Sequence, residues 1–416
     1  MAAGLCTSIR PPATVRTDVL LGPWAVYFRG TGVSAITGRS LAWAGVAVFA
    51  MVGAGCGQSA ANAVKAAQPA MATAPAAPAA RDGLPLNSFS PTNPPPAWPG
   101  PLPYPILIAD EQNDRMIEVT PDKRIIWQYP APDTTAVSKS YGVSGDDAFF
   151  SPDGSAIVTN DEESGTILRI NFYTHQVDWH FGVPNQLGGG DTHLNYPDDA
   201  YLLPNGNTVV ADIRNCRELT ISPDEKIVAS WGQPQKGYCQ TDLAKGLFGY
   251  PNGDTPQSNG DILMSFISGD RIALLSPTGQ VIWDVAAPNL HGGYVSDAQL
   301  LKNGDVLVAG YGKPGSVVEF DPKTGRVVWE YYVTSGDGEL DHPSFATQLP
   351  NGNVLLNDDA NDRVVVIDQT TKAIVWQYGQ KGVTGTAPGL LNWPDGVDVD
   401  LWHDWRGFLP AAKTTP

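Results

Sequence analysis

The chain has 416 residues and a net charge of −17, with only 17% charged residues and 44 Gly and 36 Pro. A surface this acidic does not attract phosphate backbones, which excludes nucleic acid as a partner. So much Gly and Pro excludes long helices, and 12 Trp, 14 Tyr and 12 Phe favour strands joined by tight turns.

In chain order, the first element is a leader. Arg10, Arg16, Arg29 and Arg39 precede an uncharged apolar run from Leu41 to Val52. A basic flank followed by about a dozen apolar residues reads as a signal-peptide core and is short for a membrane span. The run ends Val52-Gly53-Ala54-Gly55-Cys56, which resembles a bacterial lipoprotein cleavage site, with Cys56 as the lipidated residue. Plain secretion or an uncleaved anchor is the alternative. The expectation is therefore an exported protein, either a membrane-anchored lipoprotein or free in the periplasm or outside the cell. It would meet the membrane through its lipid only. Residues 57–103 are rich in Ala and Pro, with too few large side chains for a core, and read as a disordered tether.

From residue 104 to residue 401 one pattern recurs. It is an apolar strand, an Asn-Gly or Asp-Gly turn, a second strand, an Asp/Asn-rich loop, a third strand, and a short strand ending in Trp. The anchors are Trp127, Trp179, Trp231, Trp283, Trp329 and Trp376. Repeats about 50 residues long with four strands each predict an all-β fold, a six-bladed β-propeller with four-stranded blades. The turns Asp153-Gly154, Asn205-Gly206, Asn303-Gly304 and Asn351-Gly352 accept the positive φ that a tight hairpin demands. Each Trp is expected to pack between blades rather than form a ligand cage. Blade one lacks a first strand, and residues 395–401 follow the last blade with nothing after them. They are expected to pair into blade one and close the ring, leaving 402–416 as a tail.

The strings Asp110-x-x-Asn113-x-Arg115, Asp212-x-x-Asn215-x-Arg217 and Asp358-x-x-Asn361-x-Arg363 resemble the NHL repeat of six-bladed propellers. The stretch from Asp321 to Trp329 resembles the Trp-ended repeat of PQQ-like (quinoprotein) propellers. Enzymes of the latter type have eight blades and a fuller cofactor site, so six blades argue against PQQ here.

Propeller topology places the second-to-third strand loops and the blade-connecting loops on one face, the top. Cys216 and Cys239 both fall there and are expected to form a disulfide in an oxidising compartment; two free thiols are the alternative. Asp147, Asp199 and Asp297 open first strands at one register, and Asp395 plays a similar part in the closing strand. These carboxylates could hold a hard cation such as Ca²⁺, as lactonase-type propellers are similar in doing, or cap their own loops. Six residues before the first three stand Tyr141, His193 and His291; in blade six that register falls on Glu339, three residues before His342. Converging His193, His291 and His342 with Arg217 could supply catalysis, and Arg115 could bind an anion. The chain resembles arylsulfate sulfotransferases in blade count and in the stretch from His342 to Gly352, though Pro343 departs from that pattern. The bland alternative is loop histidines bonded to nearby carbonyls and arginines paired with acidic loops. Phosphate-loop, nucleophile-elbow and zinc-helix motifs are absent. The first expectation is a monomeric binding or scaffold module for a small ligand or an envelope protein. The second is an envelope enzyme, either sulfotransferase-like or a metal-dependent hydrolase or lyase.

Overall fold

A computed structural model of the chain describes residues 89–131 and 145–407. The leader with Cys56, most of the tether, Tyr141 and the last nine residues lie outside the described residues. Six four-stranded antiparallel sheets follow one another as blades of a propeller. Within the described residues no helix is long and apolar enough to cross a membrane.

The blades form where the repeats predict. Blade three is typical: an innermost strand Pro197–Leu202, then Thr208–Asp212, Arg217–Ile221 and the outermost Ile227–Trp231. Second strands such as Thr208–Asp212 and Val354–Asp358 are buried along their whole length because each is covered on both faces by neighbouring blades. The outermost strands alternate between buried and exposed positions, as edge strands with one wet face do.

The anchor tryptophans tie each blade to the next. Trp127 Nε1 of blade one donates to Phe172 O of blade two at 2.8 Å, and Trp329 of blade five to Gln369 O of blade six at 2.7 Å. Trp376 of blade six donates to Pro121 O of blade one at 2.8 Å, which carries the pattern across the ends of the chain. Closure is by the strand Pro394–Val399, which pairs antiparallel with Ile106–Asp110 as the innermost strand of blade one. Val397 and Val399 thereby join Ile106, Ile108 and Ile117 in one core cluster with residues of blade six.

Both flanks of the ring are more ordered than their composition suggests. The tether's last residues are pinned at the hairpin end of blade six, where Asn351 and Asn353 each donate to Pro101 O at 3.0 Å. Leu102 and Tyr104 are buried in the same cluster. Beyond the closing strand, the tail begins as a staple onto blade two, with Asp400, Trp402, His403 and Trp405 buried. Trp402 Nε1 donates to Pro152 O, and the His403 ring stacks on Phe172 with centroids 4.2 Å apart. His403 Nδ1 and Trp405 Nε1 both reach Asp400 at 3.0 Å.

Cys216 and Cys239 are joined by a disulfide with a Cα–Cα distance of 5.6 Å. It ties the second-to-third strand loop of blade three to the crossing into blade four, as expected.

Candidate functional site

The top face is built on a threefold-repeated clamp. In blades one, three and six the second strand ends in a buried Asp, followed by one 3-10 turn and a left-handed residue: Asp114, Cys216 or Asp362. The Asp accepts from the Asn three residues on and from the Arg five residues on. Asn361 Nδ2 donates to Asp358 at 2.9 Å and Arg363 Nε at 2.7 Å. The other carboxylate oxygen accepts a backbone N–H from the incoming blade-connecting loop: Asn392 on Asp110, Asn195 on Asp212 and Asp341 on Asp358. The guanidinium then spends its remaining donors on carbonyls of that loop.

This geometry places two sequence candidates. Arg217 donates to Asp212, Gly190 O and His193 O, and Arg115 to Asp110, Thr386 O and Leu390 O. Both hold loops by the acidic pairing that the sequence left open. The histidines sit apart. His193 Nδ1 bonds Thr192 at 2.9 Å, and His291 Nε2 pairs with Glu330 at 2.7 Å and stacks on Tyr332. His342 Nδ1 pairs with Asp341 at 2.7 Å, and its ring meets Tyr311 edge-on at 4.7 Å. Among the described residues no side-chain hydrogen bond joins any two of His193, His291, His342, Arg115 and Arg217.

What the ring brings together is carboxylate. The innermost strands carry bulges where pairing with the second strand slips, between Pro197 and Ala200, Pro251 and Asp254, and Val295 and Ala298. Blade one slips at the matching place, between the partners of Pro394 and Val397. A bulge re-aims side chains that simple alternation would send to opposite faces. The first bulge position holds Asp395, Asp198, Asn252 and Ser296, and the matching places just before the innermost strands of blades two and six hold Asp146 and Ser344. The second, counted the same way, holds Gly396, Asp147, Asp199, Gly253, Asp297 and Phe345. Asp395 thus stands in the row of Asp146 and Asp198, one residue away from the register of Asp147, Asp199 and Asp297. The glycines in the second row are required by close approach: a Cβ on Gly253 would lie 2.0 Å from Asp297 Oδ1, and one on Gly396 2.5 Å from Asp147 Oδ1.

A third row, one residue past each second strand, adds Glu111, Glu162 and Asp359 in blades one, two and six, where blades three and four have Ile213 and Ile267. Residue alternation hides these neighbours, so Asp146, Asp198, Glu111, Glu162 and Asp359 are functional candidates that the repeat pattern alone does not reveal. Their one sequence signal is the Asn-Asp pair closing two second strands. Asn160 Oδ1 accepts Asp147 N, while its Nδ2 donates to Asp146 Oδ2 at 3.2 Å and to Pro197 O at 3.1 Å. Asn357 does the same in blade six, accepting Phe345 N and donating to Ser344, Asp359 and Pro394 O. Ser344 in turn donates to Asp395.

Burial pushes the carboxyls of Asp146, Asp147, Asp198, Asp199 and Asp395 well above the usual carboxylate range, and like charges around them add to it. Asp297 is pushed up to about 7 by burial, against the pull of its bonds from Gln299 and Ala298. Glu162, half-buried at the mouth, is pushed up to about 8 by desolvation and by Glu163 and Asp395. Arg214, whose guanidinium lies 3.2 Å over the Tyr196 ring, pulls Glu162 the other way.

Near these carboxylates stands an aromatic pair. Tyr294 and Tyr311 of blade five pack with ring centroids 5.1 Å apart. Both phenols are raised first by burial and then by carboxylate charges, Glu162 and Asp395 for Tyr294 and Asp359 and Asp395 for Tyr311. The channel mouth therefore carries carboxylates from blades six, one, two and three, with the tyrosine pair of blade five within their electrostatic reach.

Residues 255–392 match the family model described as outer membrane protein assembly factor BamB. That stretch is similar to PQQ-like repeats. The match to PQQ-like repeats runs from the innermost strand of blade four to the loop before the closing strand. No curated protein sequence matches the chain significantly. A crystal structure of a protein of unknown function from Bacteroides caccae is similar, with 18% identity and a TM-score of 0.48 over 71% of this chain and 98% of that one. A streptogramin B lyase structure is similar at 16% identity and a TM-score of 0.40, covering 56% of this chain and 69% of that one. A virginiamycin B lyase from Staphylococcus aureus with quinupristin gives 15% identity and a TM-score of 0.41, over 59% and 72%.

Proposed function

We propose that this is an exported cell-envelope protein whose propeller is a binding module, with the channel mouth on its top face as the ligand site. The single observation that carries the reading is the channel mouth itself, which carries hydrogen-bond acceptors and a pair of tyrosine rings near them. That pairing suits a small polyhydroxylated ligand such as a saccharide, whose hydroxyls donate to carboxylates while its apolar C–H face packs on an aromatic ring. The Cys216–Cys239 bond supports an oxidising compartment. The match of residues 255–392 to an outer-membrane assembly factor family fits an envelope address.

The separate placement of His193, His291 and His342, and the engagement of Arg115 and Arg217 in loop clamps, favour binding over a sulfotransferase-like site. The test is titration of the full chain with a panel of envelope-type oligosaccharides, read by melting temperature and by intrinsic fluorescence. At least one saccharide should raise the melting midpoint, and Tyr294→Ala and Tyr311→Ala should each abolish the shift. A panel without effect, or tyrosine variants that respond like the parent, would overturn the reading.

A further inference from the structure

We propose that Asp146, Glu162 and Asp198 form an oxygen-only site for a hard divalent cation, and that the cation is Ca²⁺. Three observations carry this. One carboxylate oxygen from each residue lies within 4.8 Å of the others, although the residues come from two blades. Ca²⁺ binds oxygens at about 2.3–2.6 Å, so a single ion between them can reach all three. Second, Asp198 is 5% exposed, and its Oδ2 has no hydrogen-bond partner among the described residues. A buried carboxylate oxygen without a donor must take a proton, as Asp198 can in bonding to Asp146, or meet a cation, and with three carboxylates in reach a divalent ion neutralises more charge than one proton does. Third, the groups closing around the trio are mostly further carboxylates: Asp147, Asp199, Asp395 and Glu163. The protein's own counterweights are modest. Asn160 gives Asp146 one amide hydrogen bond, and Arg214 is held over Tyr196 and acts on Glu162 from outside the trio.

The local structure suits a rigid site. Asp146 and Asp198 occupy matching positions in adjacent blades, and Asn160 bonds both to Asp146 and to Pro197 O, directly before Asp198. Glu162 follows the second strand of blade two and reaches down from the rim. A second trio, Glu111, Asp146 and Asp395, shares Asp146, but there Asp395 already accepts from Ser344. The trio with the orphaned oxygen is therefore the seat. Ca²⁺ takes 6–8 oxygens and three carboxylates supply only part of that shell. Hydroxyl oxygens of a ligand at the channel mouth can complete the sphere. This last step, the ligand class, rests on the binding reading above; the cation site does not.

The test uses the full chain, stripped with a chelator and desalted. Calorimetric titration with Ca²⁺ and metal analysis after desalting should find bound Ca²⁺, with a rise of several degrees in melting midpoint at millimolar Ca²⁺. Asp198→Asn and Glu162→Gln should each weaken Ca²⁺ binding at least tenfold. Both are near-isosteric and remove like-charge repulsion, so they are expected to fold. Glu218→Gln, a buried carboxylate elsewhere in the ring, should leave Ca²⁺ binding unchanged. Absence of Ca²⁺ binding at 1 mM, binding of Mg²⁺ in its place, or equal Ca²⁺ affinity in the parent, Asp198→Asn and Glu162→Gln would each overturn the assignment. Repeating the saccharide panel with and without Ca²⁺ separates the two readings. Ca²⁺ binding without any saccharide response keeps the cation site and removes the ligand.

Discussion

At the scale of single residues, the arginines of the repeated clamp are the most consequential. Arg363 is 2% exposed at its side chain and Asp358 is fully buried, and the guanidinium also reaches Asp337 O and Glu339 O. Burial alone raises Asp358 above the usual carboxylate range, and the charge of Arg363 only partly offsets it. Removing the arginine takes the counter-charge from that buried carboxylate and a donor from two loop carbonyls. Arg363→Ala should therefore cost about 3–5 kcal/mol, the range for breaking a buried pair from one side. An exposed pair such as Lys226–Asp224 should cost under about 1 kcal/mol when broken. Denaturant midpoints of the two variants check the contrast. The Asp-x-x-Asn-x-Arg spacing made the clamp legible in the sequence, because its three members serve one another within six residues. What the guanidinium does with its other donors was not legible, since those carbonyls lie more than twenty residues away, and so Arg115 and Arg217 read equally well as anion ligands.

At the scale of elements, third strands of blades one, three and five carry Glu opposite the anchor Trp: Glu118, Glu218 and Glu319. Glu319 is satisfied by Gln369 and Asn303. Glu218 meets only another carboxyl: it is fully buried against Asp254 of blade four, and the two share a hydrogen bond that requires a proton on one of them. Desolvation is the main cause that pushes Glu218 from 4.5 up to about 8. The sign follows from linkage. A native state that holds a proton more tightly than the unfolded chain is favoured below the unfolded pKa, and loses that advantage as pH rises through the folded pKa. The contribution is full near pH 4 and fades between about pH 4.5 and 8. Glu218→Gln should match the parent near pH 4 and exceed it by a few kcal/mol, in order of magnitude, at pH 8.5. Unfolding curves at the two pH values decide it, and a parent whose stability is flat across that window would contradict the assignment. Strand existence, hairpin turns and Trp anchors were all legible in the sequence because each is a local pattern. The bulges were not: Asp198-Asp199 read as alternating positions, one in and one out, until a slip in pairing re-aims them.

At the scale of the whole molecule, everything at the channel mouth depends on the ring being shut by a segment almost three hundred residues away from its partner. The closing strand Pro394–Val399 supplies Asp395 to the carboxylates of the mouth and Val397 and Val399 to the core. It also covers the edge of Ile106–Asp110, a run of apolar backbone that would otherwise template aggregation. The repeat arithmetic made this closure legible, since blade one is short by one strand and the chain end has one to spare. The staple after it was not legible, because Trp402, His403 and Trp405 have no counterpart in the repeats and read as tail. Two truncations separate their contributions. Ending the chain after Leu401 removes the Trp402 and Trp405 contacts and leaves Asp400 without His403 and Glu118 without Trp405; large buried aromatics cost about 3–5 kcal/mol each when removed. That chain should keep a cooperative transition at a clearly lower temperature. Ending it after Trp393 opens the ring, and circular dichroism should then detect no cooperative β-sheet melting. A chain ending at Trp393 that melts within a few degrees of the full protein would mean that the blades stand without closure, and the site at the channel mouth would lose its physical basis.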